Sequence, residues 1–142
     1  MTPTEATICR VTDGELSPAE HLAAVERSGA GASVLFTGVV RDHDHGRSVL
    51  ELEYVAHPTA EDVLRECMAE IAADPLVHGI AVSHRVGLLR IGDAALLAAV
   101  STAHRGDAFA ICARLVDLVK DRLPIWKRQV FEDGTEEWVN CP

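Results

Sequence analysis

The sequence predicts an α+β protein in which helices pack against a mixed or antiparallel sheet. Segments with the apolar patterns of strands mostly follow one another directly, whereas strict alternation of strands and helices would favour a doubly wound sheet. Three segments with apolar residues at helical spacing are inserted between them. With 142 residues, 48% of them hydrophobic, the chain is expected to form one domain over residues 1–142.

The first predicted helix follows a short strand over residues 7–11 and has clear boundary signals. Ser17 can cap the helix, Pro18 suits its first position, and Glu20 completes a capping box. Gly29 is expected to end it, because glycine accepts the backbone conformation that often terminates helices.

The middle of the chain is predicted to hold two strands and a second helix. A β-rich run over residues 32–40 ends in a polar, charged loop over 41–47. Alternation of apolar and polar residues over 49–56 is typical of a half-buried strand. Residues 59–73 have the spacing of an amphipathic helix, which Pro75 limits.

The C-terminal half is predicted to contain a third helix and four strands. The helix covers residues 107–123, with Asp107 as its cap and Pro124 directly after it. Asp133-Gly134 between two β-rich runs predicts a hairpin that forms a small additional antiparallel sheet. The strands complete the order β-α-β-β-α-β-β-α-β-β and cover residues 80–86, 95–102, 126–131 and 135–139.

The composition argues against several classes of protein. A net charge of −9 disfavours binding to nucleic acid or an anionic membrane, although it permits a local basic pocket. The sequence has neither a long apolar membrane span nor the pattern of a signal peptide. The four cysteines are far apart, as in reduced cytosolic proteins, so we expect a cytoplasmic location. The loop His43-Asp44-His45 lacks a third ligand nearby in sequence, so we expect no metal.

The distribution of cations is the most informative feature for function. Two of the 13 cationic residues are lysines, Lys120 and Lys127, and the rest are arginines. One interpretation is a compositional bias towards arginine. The other is chemical, because an amine can carry a proton or act as a nucleophile whereas a guanidinium stays charged. Pro124 turns the chain between the two lysines, so both amines can reach one pocket and serve general acid–base catalysis.

Two further groups are candidates for anion binding. His104-Arg105-Gly106-Asp107 lies at the start of a helix, where unpaired backbone N–H groups and Arg105 can bind phosphate or carboxylate. Arg41 follows the strand that contains Phe36-Thr37-Gly38. Each has a plainer alternative, because Asp107 suits a helix cap and a single arginine at a strand end is usually solvated or ion-paired.

An ordered set of short motifs runs along roughly residues 30–140. The motifs are Phe36-x-Gly38-x-Val40-Arg41, Leu52-Glu53-Tyr54, His84-Arg85-Val86-Gly87, His104-Arg105, Lys120, Pro124-Ile125-Trp126-Lys127 and Gly134-x-x-x-Trp138. In order and spacing they resemble the large, catalytic subunit of molybdopterin synthase, the MoaE family. The run Lys-x₃-Pro-Ile-Trp-Lys is the most specific part of this resemblance.

The resemblance implies a fold, a reaction and partners. The fold is α/β hammerhead-like with an extra small antiparallel sheet. The reaction converts cyclic pyranopterin monophosphate (precursor Z) into molybdopterin by adding two sulfurs as a dithiolene, and no cofactor is expected. The sulfur donor is a thiocarboxylate on the C-terminal Gly-Gly of a small ubiquitin-like subunit, MoaD, whose tail enters a pocket of the large subunit. Two large subunits form a central homodimer with one small subunit at each end.

The resemblance also implies roles for particular residues. Lys120 and Lys127 match the two pocket lysines of the family, and we expect Lys120 to be the general acid–base group and Lys127 to position the tail or the intermediate. Arg41, His104 and Arg105 match positions that contact the substrate and its phosphate. His104 and Arg105 are the candidates for a contribution from the neighbouring protomer.

Two positions depart from the family pattern. A basic residue and then a glutamate usually follow the second lysine, but this chain has Arg128-Gln129. A glutamate often follows the tyrosine of the Leu-Glu-Tyr motif, but this chain has Val55. Each departure removes a carboxylate, so a role for either carboxylate does not carry over to this chain.

Two alternatives to a synthase stay open from the sequence. One is a non-catalytic module that binds a ubiquitin-like tail through the same cationic pocket. The other is an unrelated phosphate-ester or acyl-transfer enzyme. The presence of both Lys120 and Lys127 favours the synthase.

Overall fold

The computed structural model describes residues 6–44 and 46–139, which form three helices and nine strands. All three predicted helices and all seven predicted strands are present, together with two short additional strands. The helices are α1 (Pro18–Ala24), α2 (Ala60–Ala72) and α3 (Arg105–Arg122). The strands are β1 (Ala6–Thr12), β2 (Ala32–Val39), β3 (His43–Asp44), β4 (Arg47–Ala56), β5 (Gly79–Arg85), β6 (Gly87–Leu89), β7 (Ala94–Thr102), β8 (Ile125–Phe131) and β9 (Glu136–Val139).

The first sheet is mixed and has the strand order β1-β5-β7-β2. β1 and β5 are parallel, whereas β7 is antiparallel to both β5 and β2. α2 packs on β1 and β5, and α3 packs on β7 and β2. α1 lies on the other side, where Val25 joins a small cluster with Ile8, Ala81 and Ala99. The sheet is therefore covered by helices on both faces.

The second sheet is antiparallel and is built around β4. β4 pairs with β3, β6 and β8, and β8 pairs in turn with β9. The predicted C-terminal hairpin is thus part of the additional antiparallel sheet, which is larger than the hairpin alone. A mixed sheet, an antiparallel sheet and packed helices confirm the predicted α+β class.

One hydrophobic cluster joins the two sheets to α2 and α3. Its fully buried members include Leu64 of α2, Leu115 of α3, Val100 of the first sheet and Ile125 of the second. Aliphatic side chains dominate it because only 4% of the residues are aromatic. Tyr54 of β4 also belongs to this cluster, so the edge of the core reaches the place where the two sheets meet.

Truncating the centre of this core should be costly. We expect Leu115→Ala to lower the free energy of unfolding by about 2–5 kcal/mol, because Leu115 is fully buried and the change leaves a cavity. Leu50→Ala is a matched control, since Leu50 is 61% exposed and its loss should change the stability by less than about 0.5 kcal/mol. Urea unfolding followed by circular dichroism compares the two, and equal losses would contradict the core described above.

The loop predicted over residues 41–47 contains a short strand, so that prediction is wrong for β3. His43 and Asp44 pair with the start of β4. Gly46, with φ of 77°, permits the tight turn between the two strands. The polar residues of β3 look like a loop in the sequence because the strand has no apolar pattern of its own. It forms through hydrogen bonds to β4.

The stretch between the predicted strands over 80–86 and 95–102 contains a second short strand, β6. Gly87 follows β5 with φ of 94°, a backbone conformation that other residues rarely adopt. The turn takes the chain out of the first sheet, and β6 then pairs with β4 in the second. Gly87 is therefore the point at which the chain changes sheets.

The end of α1 also differs from the prediction. The helix ends at Ala24 rather than near Gly29. The next residue, Val25, is fully buried, and its carbonyl oxygen accepts a 2.6 Å hydrogen bond from the Ser101 hydroxyl. Gly79 lies so close that a Cβ there would be 2.9 Å from the Val25 backbone. These tertiary contacts end the helix before the local stop signal does.

The predicted cap of α1 is confirmed, and the predicted cap of α3 is wrong. The Ser17 hydroxyl accepts a 3.2 Å hydrogen bond from the Glu20 N–H, while the Glu20 carboxylate pairs with Arg10 at 3.0 Å. In α3 the N-cap residue is His104, which makes no side-chain cap bond, and Asp107 lies inside the first turn. A carboxylate in the first turn is favourable because it lies near the positive end of the helix dipole. Asp107 therefore does mark the start of α3, but as a first-turn residue and not as the cap.

No helix in the described part of the chain is long and apolar enough to cross a membrane.

Candidate active site

A small cavity of about 60 Å³ opens where the end of β2 meets the second sheet. Arg41 and Lys127, two of the predicted site residues, both line it. Its other lining residues are Val39, Val40, His43, Asp44, Leu52, Tyr54 and Gln129. The cavity therefore combines two cations and one carboxylate on a mostly buried base.

Strand geometry explains how Lys127 reaches this cavity. Lys127 on β8 lies directly opposite Tyr54 on β4. Alternate residues of a strand face the same side, so Ile125, Lys127 and Gln129 share the inward side of β8. Ile125 and Gln129 are buried, and Lys127 between them is half-buried. The amine thus emerges from the core side of the sheet rather than from its outer face, to which Trp126 belongs.

Arg41 lies at the mouth of the cavity and is paired with an acid. Its guanidinium is 3.7 Å from the Asp44 carboxylate, and its side chain is 75% exposed. Asp44 is held on the other side by Gln129, whose amide donates a 2.7 Å hydrogen bond to it. The motif resemblance predicts a glutamate at the position of Gln129, and in this chain Gln129 bonds to the nearby carboxylate of Asp44.

Lys120 lies on the last turn of α3 and is not one of the cavity-lining residues. Its positive charge nevertheless acts on the buried His84 of β5. The His84 ring meets the Tyr54 ring edge-on, with centroids 4.9 Å apart and an interplanar angle of 79°. Tyr54 lines the cavity opposite Lys127, so the Tyr54–His84 pair connects the surroundings of the two lysines.

His84 is an uncharged imidazole within the core. Its side chain is fully buried, and its Nδ1–H donates a 2.8 Å hydrogen bond to the Arg85 carbonyl oxygen. Burial is the main cause that lowers the pKa of His84 to about 4, and the charge of Lys120 acts in the same direction. Its Nε2 has no hydrogen-bond partner among the described residues. At neutral pH this atom is therefore an unused acceptor.

The pKa of His84 predicts a pH dependence of stability. An unfolded chain binds a proton at this imidazole below about pH 6.5, but the folded protein does not until the pH approaches 4. Protons therefore favour the unfolded state between these values, and stability should fall by up to about 3 kcal/mol from this group as the pH drops from 6.5 to 4. Urea unfolding at pH 7 and pH 5 should show a smaller difference in His84→Phe than in the unaltered chain. An unchanged difference would contradict the assignment.

His104 and Arg105 lie far from this cavity within one chain. They are exposed and stand at the start of α3, whereas Lys120 is on its last turn. Fifteen residues of α-helix separate Arg105 from Lys120, which is about 22 Å along the axis. The structure thus brings Arg41 and Lys127 together at one cavity and leaves His104 and Arg105 at the opposite end of α3 from Lys120. Lys120 acts on His84, whose ring contacts the cavity-lining Tyr54.

A second, apolar cavity of about 370 Å³ lies between β2 and α3. Val34 and Phe36 of β2 face Phe109 and Val116 of α3 across it. Phe109 is 62% exposed and lies about one helical turn from Arg105. This groove therefore adjoins the end of α3 that carries His104 and Arg105.

Four residues of the site were not among the predicted catalytic or substrate-binding residues: Tyr54, His84, Asp44 and Gln129. Tyr54 and His84 belong to motifs that carry the family resemblance, and those motifs were the sequence feature that could have marked them as site residues. Their contact joins β4 to β5, which lie in different sheets, so no spacing in the sequence could predict it. Among the described residues no group of three or more possible metal ligands converges. His45 of the loop considered above, and Cys141, lie outside those residues.

The fold and the cavity define a class: an α+β protein with a cavity lined by an arginine and a lysine where its two sheets meet. The MoaE protein family model matches residues 11–122. A molybdopterin synthase catalytic subunit of Mycobacterium tuberculosis is 42% identical over 134 residues, covering 92% of this chain and 89% of that protein. Its counterpart in Nostoc sp. is 37% identical over 132 residues, covering 92% and 80%. The chain therefore belongs to the MoaE family, as the motifs indicated.

Solved structures agree with this assignment. The crystal structure of molybdopterin synthase from Staphylococcus aureus matches with a TM-score of 0.83 and 33% identity, covering 98% of each chain. A complex of subunits 1 and 2 of molybdopterin-converting factor from Helicobacter pylori matches with a TM-score of 0.71 and 20% identity, covering 92% of this chain and 88% of that one. At that identity the second match supports the fold alone.

Proposed function

We propose that this chain is the catalytic subunit of a molybdopterin synthase and that its reaction takes place at the cavity lined by Arg41 and Lys127. The reaction converts cyclic pyranopterin monophosphate into molybdopterin by transferring sulfur from a thiocarboxylated protein tail. The observation that carries the proposal is the convergence of Arg41 and Lys127 on one cavity, in a chain of the MoaE family. Lys120 acts on His84, which contacts Tyr54 in the wall of that cavity.

The charges of the cavity suit two anionic reactants. The substrate carries a cyclic phosphate, and the donor tail ends in a thiocarboxylate and leaves as a carboxylate. Arg41 can form paired hydrogen bonds with either group, and Lys127 supplies a compact positive charge. The chain as a whole has a net charge of −9, so this cationic region concentrates anions at one place on an acidic protein.

The two lysines take different roles in the proposal. Opening the cyclic phosphate and releasing the spent tail both require proton transfers, and an amine can accept and return a proton whereas a guanidinium cannot. Lys120 is assigned this general acid–base role. Lys127 is half-buried in the cavity wall next to Tyr54, so it is assigned the positioning of the tail or the intermediate.

The cavity of one chain suits the end of a tail better than a complete pterin. Its volume of about 60 Å³ corresponds to about two water molecules. A terminal carboxylate fits that space, while a bicyclic pterin with its phosphate requires more room. We propose that the C-terminal Gly-Gly of a small ubiquitin-like subunit enters here, and that the pterin lies at the mouth near Arg41.

The absence of paired cysteine motifs supports a cytoplasmic location.

A second copy of the chain is proposed to complete the site. His104 and Arg105 cannot reach the cavity of their own chain across the length of α3. They adjoin an apolar groove with the exposed Phe109, a surface that a homodimer would bury. In such a dimer the N-terminal end of α3 of one protomer brings its cations to the partner's cavity. Two small subunits at the ends would then give a heterotetramer.

A reconstituted assay tests the proposed function. The chain is mixed with thiocarboxylated small subunit and cyclic pyranopterin monophosphate, and dithiolene product is measured. Product that requires all three components supports the proposal. Tail binding without product would instead identify a non-catalytic binding module. Turnover of generic phosphoesters without the small subunit would identify an unrelated hydrolase.

A further inference from the structure

Tyr54 and His84 form a buried polar pair that the proposed roles of the lysines do not use. Tyr54 is the single tyrosine of the chain and is 8% exposed, and His84 is fully buried. Their rings meet edge-on across the boundary between the two sheets. Burying a phenol and an imidazole among aliphatic residues costs free energy unless their polar atoms form hydrogen bonds. This cost suggests that the pair has a role at the site.

The pair lies between the two lysines. Lys127 is the direct cross-strand neighbour of Tyr54, and both line the same cavity. Lys120 is close enough to His84 for its charge to influence the ring. The direction of the chain explains this approach, because α3 begins after the end of β7 and runs back along the first sheet towards the end of β5 that carries His84.

We propose that Tyr54 and His84 are positioning residues for Lys120: the Tyr54 hydroxyl, buttressed by the His84 ring, hydrogen-bonds the Lys120 amine and directs it towards the cavity. This inference rests on the proposed function, since it concerns the amine assigned to proton transfer. A lysine side chain has four rotatable bonds, and an exposed one loses rotamer entropy when it is held in place. If the Tyr54 hydroxyl holds the amine, Lys120 loses this entropy before the substrate binds and not during the reaction.

The properties of His84 suit a buttress rather than a second base. Its Nδ1–H is occupied by the Arg85 carbonyl oxygen, which fixes the tautomer and the plane of the ring. Burial keeps the ring uncharged at neutral pH, so it adds no positive charge near Lys120. The ring thus contacts Tyr54 in a T-shaped arrangement, and its Nε2 has no hydrogen-bond partner among the described residues.

The two lysines make a direct measurement possible. Protein labelled with ¹³C-lysine gives two Cε–Hε groups, and the spectrum of Lys127→Arg assigns them. If Lys120 is held, its two Hε protons are inequivalent and its Cε group relaxes as part of the rigid protein. We expect Tyr54→Phe, which removes the hydroxyl and keeps the ring, to abolish that inequivalence at Lys120. We also expect it to lower kcat by about 10- to 100-fold, with KM for the pterin changed less than about twofold.

His84 is tested by a graded pair of variants. His84→Ala removes the buttress and should free Lys120 as Tyr54→Phe does, whereas His84→Phe keeps a ring against Tyr54 and should restore most of the Lys120 signal and most of kcat. The matched control is Ser83→Ala, which deletes one buried hydroxyl from the same strand. The Ser83 hydroxyl bonds to His21 instead of the lysine site, so Lys120 should not change.

The outcomes separate this inference from the proposed function. A Lys120 signal that is unchanged in Tyr54→Phe overturns the inference, whatever the activity, because the hydroxyl then does not hold the amine. A Lys120 signal that is freed while kcat stays normal also overturns it, because the position of the amine then does not matter. If the unaltered chain makes no product, the proposed function fails, and the spectra still decide whether Tyr54 holds Lys120. Should His84→Ala not fold, Tyr54→Phe decides alone.

Discussion

Replacing Lys120 with alanine is expected to lower kcat for molybdopterin formation by about 10² to 10⁴-fold, which is the usual contribution of a positioned proton-transfer group. The fold should be unaffected, because Lys120 is exposed on the last turn of α3 while its neighbour Val119 supplies the buried contact. Single-turnover rates with thiocarboxylated small subunit measure the loss apart from product release.

Two control variants show whether the amine or merely its charge matters. Lys120→Arg keeps the positive charge but cannot release a proton, so it should be nearly as slow as Lys120→Ala. Arg114→Ala removes an exposed cation from the same helix, where Arg114 pairs with Asp74 at 3.5 Å, and should leave the rate unchanged. A Lys120→Ala variant with a near-normal rate would falsify the assignment of proton transfer to this residue.

Mixing two inactive variants is expected to restore activity if the site is shared between protomers. Arg105→Ala alone should be strongly impaired, because its guanidinium is proposed to reach the cavity of the partner. In a random mixture of Lys120→Ala and Arg105→Ala chains, half of the dimers contain one chain of each kind. Each mixed dimer then has one site with both residues intact, so about a quarter of normal activity should return.

The opposite result has an equally clear meaning. If each site takes both residues from one chain, every site in the mixture lacks one of them, and activity stays at the level of the separate variants. A mixture of Lys120→Ala with Lys127→Ala is the matched control. Both lysines act in the same protomer in this proposal, so that mixture should show no recovery. Recovery there would mean that the two lysines act in different protomers.

The elements of the fold could be predicted where the signal is local. Ser17 and Pro18 marked the start of α1, and alternation of apolar residues marked β4. The prediction failed where distant contacts decide the structure. α1 ends early because Val25 is buried against the first sheet and bonds to Ser101. β3 and β6 were not predicted because both strands are short and have little apolar pattern of their own. Both pair with β4.

The candidate site shows the same division. Lys120, Lys127 and Arg41 stood out in the sequence through residue type and motif. The sequence did not reveal that Arg41 is paired with Asp44, or that Gln129 holds that carboxylate at the place where a glutamate was expected. Such a pairing depends on the register of β3 and β8 against β4, which is a property of the assembled sheet.

Sequence reasoning identified the residue types, the three helices, seven of the nine described strands and the family, because motifs, caps and periodic apolar residues act over short distances along the chain. Which of these residues meet depends on the assembled fold. It placed Lys127 opposite Tyr54, Tyr54 against His84, and His84 near Lys120, through contacts between strands of two sheets and the end of α3. It also placed Arg105 about 22 Å from Lys120 along α3, since a rigid helix holds its two ends apart. Because of that separation, we propose that Arg105 acts in the site of a second protomer.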